Sequence, residues 1–413
     1  MTQTTTNSHL IPAAIERPGD DPIFALHGEA MRRAQAGEDV LNSTIGALMQ
    51  DDGSLAILPS VFEALGHIPP QRAAAYAPIS GPPAFLEAVR KDVFGDGPLF
   101  ERSVAVATPG GTGACHHAIV NYLEPGQSLL TSSYFWGPYA ILAEHTRRKV
   151  RTFRMFRDDG TFDVDSFASS LQALMREQGR ALVFLNTPCH NPTGYSLDDD
   201  DWQALTEALL AAAELGPVSL LLDLAYAKFA APASLRWHKY VERIHERVEC
   251  LFAWTASKAF AQYGARVGAC IALGADDDSR ARAKNALGYS CRGTWSNCNH
   301  LGMLAITELL NDEALRKRSE DERNALTSLL TRRVERFNAL ARPAGLAYPR
   351  YEGGFFVAVF TPDGRATSAA MQAEGVFVVP LEGAVRVALC ATPESAIPRL
   401  VEALQRGVAG TAG

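Results

Sequence analysis

The sequence lacks the residue patterns that hold metals or disulfides. Its 413 residues include seven cysteines, and none of these stands in the closely spaced pairs typical of zinc sites. An odd number of scattered cysteines favours reduced thiols over a disulfide framework. We therefore expect no metal site, and cysteines that pack in the core or near a site. The seven are Cys115, Cys189, Cys250, Cys270, Cys291, Cys298 and Cys390.

The sequence also has no excess of positive charge and no long apolar run. Its 39 lysines and arginines are outnumbered by 46 aspartates and glutamates, so nucleic acids and anionic membranes have no electrostatic reason to bind. No stretch is long enough to span a membrane, and the polar residues 1–7 lack the apolar core of a signal peptide. We expect a cytoplasmic protein that acts on small molecules, with no nucleic-acid and no membrane partner.

What the sequence does contain is an alternation of short apolar runs with helical patterns. The runs are continuously apolar, as expected for strands that helices cover on both faces. They lie at residues 103–107, 128–132, 150–156, 181–185, 218–224, 250–255 and 267–273. The centre of the chain is therefore predicted to be an α/β sheet domain.

The pattern changes after residue 300. Residues 300–340 have helical spacing, and two strand-like segments follow at 354–360 and 375–379. Strands and helices that no longer alternate indicate a separate α+β domain, which the N-terminal segment is expected to join. A chain of this length, with 47% hydrophobic residues, is large enough for two cores.

Three kinds of side chain in the central region suggest one cofactor. Lys258 follows a strand-like run and precedes Arg266 by eight residues, while Asp223 ends the apolar run 218–222. An amine for a Schiff base, a carboxylate for a pyridinium nitrogen and a cation for a phosphate are what pyridoxal 5'-phosphate (PLP) requires. A buried carboxylate such as Asp223 needs a partner, although a helix cap on a strand-end loop is an alternative interpretation.

A glycine-rich turn at residues 108–114 follows the first predicted strand and opens a helix that runs to about Leu123. Glycines let the backbone approach an anion, and the free N–H groups of a helix start bind phosphate. The same turn could also be only a tight connection.

Taken together, these residues resemble the successive motifs of the class I aminotransferases of PLP fold type I, and most closely the aspartate and aromatic amino acid branch. The resemblance extends from about residue 21 to residue 393. The motifs are Gly110-Gly111-Thr112-Gly113-Ala114, His190-Asn191-Pro192-Thr193-Gly194, Asp223 with Tyr226, Ser257-Lys258 with Arg266, and Val385-Arg386-Val387.

The resemblance implies the fold. A large PLP-binding domain is expected at residues 51–305, with a mostly parallel seven-stranded sheet between helices. A smaller α+β domain would combine residues 1–50 with residues 306–413.

The resemblance also implies roles at the cofactor. Lys258 would form the Schiff base and then move the proton of the substrate's α-carbon, and Asp223 would pair with the pyridinium nitrogen. Tyr226 and Asn191 would bond the phenolic oxygen, and in this family the Asn191-Pro192 bond is a candidate for the cis isomer. The phosphate site would consist of Gly111, Thr112, Thr255, Ser257 and Arg266.

Two aromatic residues are candidates for stacking on the cofactor ring. Spacing favours Tyr134 as the stacking residue and leaves Trp136 on the substrate side or in a structural role. Tyr76 matches the family position whose hydroxyl reaches the phosphate of the neighbouring subunit. The resemblance therefore implies a homodimer with active sites shared across the interface.

On the substrate side, Arg386 would grip the α-carboxylate of the amino acid, with the backbone at Gly46 and the side chain of Asn191 alongside. An internal salt bridge is the alternative explanation for Arg386. Arg292 matches the position at which dicarboxylate-specific relatives carry the arginine that binds the side-chain carboxylate of the substrate across the dimer interface. An arginine that merely lies on the surface is a real alternative.

The resulting hypothesis is a ping-pong aminotransferase of amino acid metabolism. It would move an amino group between a dicarboxylic or aromatic L-amino acid and a 2-oxo acid such as 2-oxoglutarate. One alternative is a fold-type-I PLP enzyme of specialised metabolism that decarboxylates, eliminates at the β- or γ-carbon, or oxidises an amino acid. Another is the effector module of a transcription regulator, which would need a basic DNA-binding domain, whereas only about 20 residues precede the first family-like segment.

Overall fold

The computed structural model describes residues 8–19 and 21–411. Its helices are α1 Pro12–Ile15, α2 Pro22–Gln35, α3 Pro59–Gly66, α4 Pro70–Ala74, α5 Pro83–Phe94, α6 Pro98–Glu101, α7 Gly110–Tyr122, α8 Pro138–His145, α9 Val164–Gln178, α10 Asp199–Ala213, α11 Trp237–Ile244, α12 Ala256–Ala259, α13 Asp277–Gly293, α14 His300–Asn311, α15 Glu313–Ala341, α16 Gly364–Ala373 and α17 Ile397–Ala409. Its strands are β1 Leu41–Asn42, β2 Ser103–Thr108, β3 Ser128–Ser132, β4 Lys149–Phe153, β5 Ala181–Asn186, β6 Val218–Asp223, β7 Glu249–Thr255, β8 Gly268–Leu273, β9 Phe356–Phe360, β10 Val376–Phe377, β11 Val379–Leu381 and β12 Ala384–Ala388.

The central sheet has seven strands in the order β2-β8-β7-β6-β5-β3-β4. Neighbouring strands are parallel except for β8, which runs antiparallel to both β2 and β7. These strands are the seven apolar runs of the sequence. The α/β class and the mostly parallel seven-stranded sheet are therefore confirmed.

Burial on both faces explains why these runs are continuous. Every residue of β5 and β6 is buried. Successive side chains point to opposite faces, so Leu221 packs on one side of the sheet while Leu220 and Leu222 pack on the other. Helices α7, α8 and α13 cover the first face, and α5, α9, α10 and α11 cover the second. If these strands alternated apolar and polar residues, the polar side chains would be buried beneath helices without hydrogen-bond partners.

One edge of this sheet collects the chain segments that carry candidate chemistry. Strands β2, β6 and β7 share one direction, so their carboxyl ends meet at the same edge. Because β8 runs the opposite way, its first residue lies at that edge as well. Asp223 ends β6, Thr255 ends β7, Gly110 begins α7 after β2, and Arg266 precedes β8 by two residues. The topology thus brings four separate motifs together.

The remaining strands form two smaller sheets. Strands β11, β12 and β9 form an antiparallel sheet in that order, and β1 pairs in parallel with β10. The pairing of β1 with β10 joins the N-terminal segment to the C-terminal part of the chain.

The helical stretch predicted at 300–340 consists of two helices, α14 and α15, which are separated at Asp312. The Asp312 carboxylate caps α15 by accepting a hydrogen bond from Leu315 N–H.

The division at residues 50 and 305 stays a prediction, since α14 crosses the second boundary and packs against α3, α4 and α5 as well as α15. The predicted smaller domain also includes residues 1–7, 20, 412 and 413, which lie outside the described residues.

Within residues 8–19 and 21–411, no helix is both long enough and apolar enough to cross a membrane.

Candidate active site

A cavity of about 580 Å³ opens at the edge of the sheet where these motifs meet. Most of the predicted site residues line it, although they come from widely separated parts of the chain. They are Gly46, Gly111, Thr112, Trp136, Asn191, Asp223, Tyr226, Thr255, Ser257, Lys258, Arg266 and Arg386. Three predicted residues do not line it, namely Tyr76, Tyr134 and Arg292.

Lys258 projects into this cavity from the short helix α12, directly after β7. Its Nζ donates a hydrogen bond to the carbonyl oxygen of Gly46 at 2.8 Å and lies 4.5 Å from the centre of the Tyr263 ring. Burial lowers the pKa of the Lys258 amine to about 8. The uncharged amine is therefore populated near neutral pH, as a nucleophile or general base requires.

Asp223 presents a carboxylate that is only 6% exposed. Its Oδ2 accepts a 2.6 Å hydrogen bond from Tyr139 Oη, and its Oδ1 accepts one from Ala225 N–H at 3.1 Å. Burial raises the pKa of the Asp223 carboxyl, and these two hydrogen bonds oppose the rise. A cationic ring nitrogen in the cavity would stabilise the ionised form in the same way that a salt bridge does.

A chain of hydrogen bonds links Asp223 to two further cavity residues. Asn186, the last residue of β5, donates from Nδ2 to Asp223 O at 2.9 Å and accepts from Asn191 N–H at 2.7 Å. Asn191 Nδ2 in turn donates to Tyr226 Oη at 3.3 Å. The Asn191-Pro192 bond is cis, the isomer for which it was a candidate. Asn191 and Tyr226 thus lie side by side on the cavity wall.

The glycine-rich turn and Arg266 form a cradle at the start of α7. Gly110 has a φ of +73°, and a Cβ atom there would lie 2.6 Å from Arg266 Nη2, so a side chain has no room. Arg266 donates to Ser257 Oγ at 3.3 Å and to Thr112 Oγ1 at 3.5 Å. Thr255 Oγ1 donates to Ser257 Oγ at 2.9 Å. Hydroxyls, a guanidinium and a helix start converge here, which suits a phosphate group.

Arg386 is 5% exposed and lies in the buried strand β12. Its Nη2 donates to Thr44 O at 2.6 Å, and its guanidinium carbon lies 4.4 Å from the centre of the Phe356 ring. Burial lowers the pKa of Arg386, and its Nε has no hydrogen-bond partner among the described residues. The internal salt bridge considered as an alternative is likewise not found within residues 8–19 and 21–411. A carboxylate that enters the cavity would supply the missing partner.

Comparison with known proteins identifies the family. The family model described as aminotransferase class I and II matches residues 38–404. The chain belongs to the class I and II aminotransferases.

Relatives and solved structures agree with that assignment. The aromatic-amino-acid aminotransferase of Escherichia coli (strain K12) is 29% identical over 304 residues, which cover 72% of this chain and 74% of that protein. The aspartate aminotransferase of the same organism is 28% identical over 330 residues, covering 78% and 79%. The crystal structure of an aminotransferase from Anaerococcus prevotii superposes with a TM-score of 0.91 at 30% identity, covering 98% of this chain and 100% of that one.

Class I and II aminotransferases use PLP, and the cavity of this aminotransferase fits that cofactor. Arg266 lies beside the hydroxyls of Ser257 and Thr112 at the start of α7, which suits a phosphate, and the buried Asp223 carboxylate suits a pyridinium nitrogen. Lys258 provides an amine in the same cavity. The recognised PLP fold type I is therefore matched by the chemistry of the residues present.

The structure places Trp136, and not Tyr134, among the residues that line the cavity, so which of the two stacks on a cofactor ring stays a prediction. The Tyr134 ring packs beside Phe156 and Phe360, with ring centres 6.2 and 6.0 Å away, and it does not line the cavity. Trp136 does line the cavity, where its ring lies edge-on to Tyr139 at 5.5 Å. Tyr134 is held outside because an aromatic cluster that includes β9 surrounds its ring.

Tyr76 and Arg292 lie away from the cavity of their own chain. Tyr76 is 92% exposed, and the exposed Arg292 donates to Ser296 Oγ at 2.6 Å near the end of α13. Both were predicted to act on the neighbouring subunit of a dimer, so their roles stay predictions. The alternative of Arg292 as an ordinary surface arginine also remains open.

Several residues that line the cavity, or that bond to a residue lining it, were not predicted from the sequence. Asn186 ends a buried apolar run, which is the same signal that identified Asp223, and it could have been found in that way. Tyr139 gives no such signal, because it lies within α8 and reaches Asp223 only in the folded chain. The first turns of α2 also line the cavity, through Asp21, Ile23, Phe24 and His27.

We expect Tyr139→Phe to lower kcat about 10-fold, the effect of losing one hydrogen bond to a charged group. Without the phenol, the pKa of Asp223 should rise further, and the carboxylate should pair less well with a cationic ring nitrogen. Steady-state kinetics per bound PLP measure the effect. Tyr122→Phe is the matched control, since Tyr122 Oη makes a similar bond to Glu249 away from the cavity. Equal losses in both variants would contradict the role of Tyr139.

Proposed function

We propose that this aminotransferase moves an amino group between an aromatic or dicarboxylic L-amino acid and a 2-oxo acid such as 2-oxoglutarate. The observation that carries the proposal is the convergence of Lys258, Asp223, Arg266 and Arg386 on one cavity. The names of the similar Escherichia coli proteins, an aromatic-amino-acid and an aspartate aminotransferase, support the two substrate classes. The reaction is ping-pong, so the first 2-oxo acid leaves before the second one enters.

The cavity residues have distinct parts in this chemistry. When bound, PLP supplies an electron sink that acidifies the α-C–H bond of the amino acid. Lys258 Nζ binds the cofactor covalently at rest and removes the α-proton during the reaction. Asp223 holds the ring nitrogen in its protonated form, and Asn191 and Tyr226 bond the phenolic oxygen. Arg266, with Gly111, Thr112, Thr255 and Ser257, holds the phosphate.

Arg386, Gly46, Asn191 and Trp136 orient the substrate. Arg386 grips the α-carboxylate through its planar fork, and its unpaired Nε supports this role. Position 46 needs a glycine, because a Cβ atom there would lie 2.8 Å from Phe356 Cζ, and the backbone of Gly46 lines the cavity. Asn191 contributes its amide, and Trp136 rather than Tyr134 covers the cofactor ring and the substrate side.

The start of α2 and Trp136 bring apolar side chains to the cavity. Ile23, Phe24 and Trp136 line it together with the polar Asp21 and His27, and we assign the apolar three to the side chain of an aromatic amino acid. Among the described cavity residues the lysine and arginine side chains are Lys258, Arg266 and Arg386, and each already has a proposed partner. A dicarboxylic substrate therefore needs a cation from elsewhere, and we assign this to Arg292 of a second subunit.

The same proposal includes a homodimer with shared active sites, in which Tyr76 of one subunit reaches the phosphate bound by the other. The exposure of the Tyr76 side chain in the single chain supports this arrangement. The proposed location is cytoplasmic, and the proposed domains are residues 51–305 and residues 1–50 with 306–413.

Arg292→Ala should therefore separate the two substrate classes. We expect kcat/KM for glutamate or aspartate to fall about 10- to 100-fold, as for loss of a charge-assisted hydrogen bond, and kcat/KM for phenylalanine to change less than about threefold. Arg282→Ala, on the exposed face of the same helix, is the control. Parallel losses with glutamate and phenylalanine would contradict the assignment.

The overall function is tested by the absorption spectrum of the PLP-loaded protein with a panel of L-amino acids, with and without 2-oxoglutarate. We expect the band of the bound cofactor to change on addition of a donor and to return on addition of the oxo acid. Release of ammonia, CO₂ or peroxide without an oxo acid would instead support elimination, decarboxylation or oxidation and would overturn the proposal.

A further inference from the structure

Arg333 is a fully buried charge outside the cavity, with 0% of its surface exposed. It lies on α15, and its guanidinium donates to backbone carbonyls of two distant segments. Nη1 donates to Cys390 O at 2.9 Å and to Leu389 O at 3.3 Å, and Nη2 donates to Met49 O at 2.8 Å. A charge is costly to bury, so a side chain held in this way connects segments that must stay together.

The partner of Arg333 is Asp51. Asp51 Oδ1 accepts from Arg333 Nη2 at 2.8 Å and from Glu394 N–H at 2.9 Å. Partial burial raises the pKa of Asp51, but the hydrogen bonds from Glu394 N–H and Arg333 outweigh it, and that pKa lies below its ordinary value. The Asp51 side chain is 45% exposed, so it can be changed without opening the core.

The segment that this pair anchors, residues 44–49, carries carbonyls used in the cavity. Thr44 O accepts from Arg386 Nη2 at 2.6 Å, and Gly46 O accepts from Lys258 Nζ at 2.8 Å. Leu48 N–H donates to Tyr263 Oη at 2.9 Å. Met49 N–H donates at 2.9 Å to Cys390 O, the same oxygen that Arg333 binds. The pair therefore fastens the far end of a segment whose near end touches both Lys258 and Arg386.

We propose that Arg333 and Asp51 are positioning residues, which hold residues 44–49 so that Thr44 O and Gly46 O orient Arg386 and Lys258 for reaction with the amino acid. The pair touches neither substrate nor cofactor. The inference rests on the proposed roles of Lys258 and Arg386. Its physical basis is that misplacement of a reacting group by about 1 Å can cost about 100-fold in rate.

Asp51→Ala is the main test, and we expect it to lower kcat/KM for the amino acid half-reaction about 10- to 100-fold per bound PLP. Asp51→Asn should retain activity within about threefold, because its Oδ1 can accept both hydrogen bonds. Asp52→Ala is the matched control, since Asp52, within residues 8–19 and 21–411, accepts only from Ser54 N–H and Oγ in the same exposed turn. PLP affinity should be unchanged in all three variants, because the phosphate cradle belongs to other segments.

A second measurement does not depend on activity. Amide hydrogen exchange should become faster at Leu48 and Met49 in Asp51→Ala, and also in Arg333→Met if that variant folds, but not in Asp52→Ala. Unchanged exchange at Leu48 and Met49, or kcat/KM equal to that of the unmodified protein, would overturn the positioning role. If the unmodified protein shows no oxo-acid-dependent exchange, the proposed function fails, and hydrogen exchange still decides whether Asp51 holds the segment.

Discussion

Replacing Lys258 with alanine should lower kcat for amino-group transfer by at least about 10⁴-fold, because the same amine serves as nucleophile and as general base. The hydrogen bonds of the phosphate cradle, from Arg266 to Ser257 and Thr112, do not involve the Lys258 side chain. PLP should therefore still bind to Lys258→Ala, without a covalent bond. Borohydride reduction followed by mass spectrometry should find the cofactor attached to Lys258 in the unmodified protein and detached from the protein in Lys258→Ala.

Lys284→Ala is the control for this prediction, since Lys284 lies on the exposed face of α13. It should leave both transamination and borohydride labelling unchanged. Retention of oxo-acid-dependent exchange by Lys258→Ala, or labelling at another lysine of the unmodified protein, would contradict the role of Lys258.

Arg386→Ala should lower kcat/KM about 10²- to 10³-fold for both the amino acid and the 2-oxo acid. This range corresponds to about 3–4 kcal/mol, which lies within the typical cost of removing one partner of a buried charge pair. Arg386→Lys should recover only part of the loss, because lysine keeps the charge but not the planar fork that binds a carboxylate through two hydrogen bonds. Steady-state kinetics with both substrates measure the effect, which should fall mainly on KM.

An amine without an α-carboxylate provides the control for Arg386. Tyramine in place of tyrosine should react poorly with the unmodified protein, and Arg386→Ala should reduce that residual rate far less than it reduces the rate with tyrosine. An equal loss with both compounds would mean that Arg386 supports the fold of β12 rather than the carboxylate.

Much of the site could be predicted because each motif lies beside a structural element that local sequence encodes. A continuous apolar run predicts a buried strand, and a polar residue at the end of such a run predicts an edge of the sheet, as for Asp223 and Asn186. Likewise, a glycine-rich turn before a helix predicts an anion site near Gly110. Each of these signals involves only a few neighbouring residues, so it can be recognised without knowledge of the tertiary structure.

Side-chain direction and long-range partners could not be predicted in this way. Tyr134 and Trp136 are two residues apart, and sequence spacing did not reveal which ring faces the cavity. The ring of Tyr134 turns away because Phe360, more than 200 residues later in the chain, packs against it. Tyr139 reaches Asp223, and Arg333 reaches Asp51, only because separate elements meet.

The amino-acid sequence by itself thus determined the seven central strands, the position of the Lys258 amine directly after a buried strand and the order of the family motifs, since each depends on neighbouring residues and hydrophobic periodicity. The tertiary structure alone decided that Trp136 lines the cavity, that Tyr139 bonds Asp223 and that a buried arginine anchors residues 44–49. Those features depend on packing between segments far apart in the chain, and packing is settled only when the whole core forms.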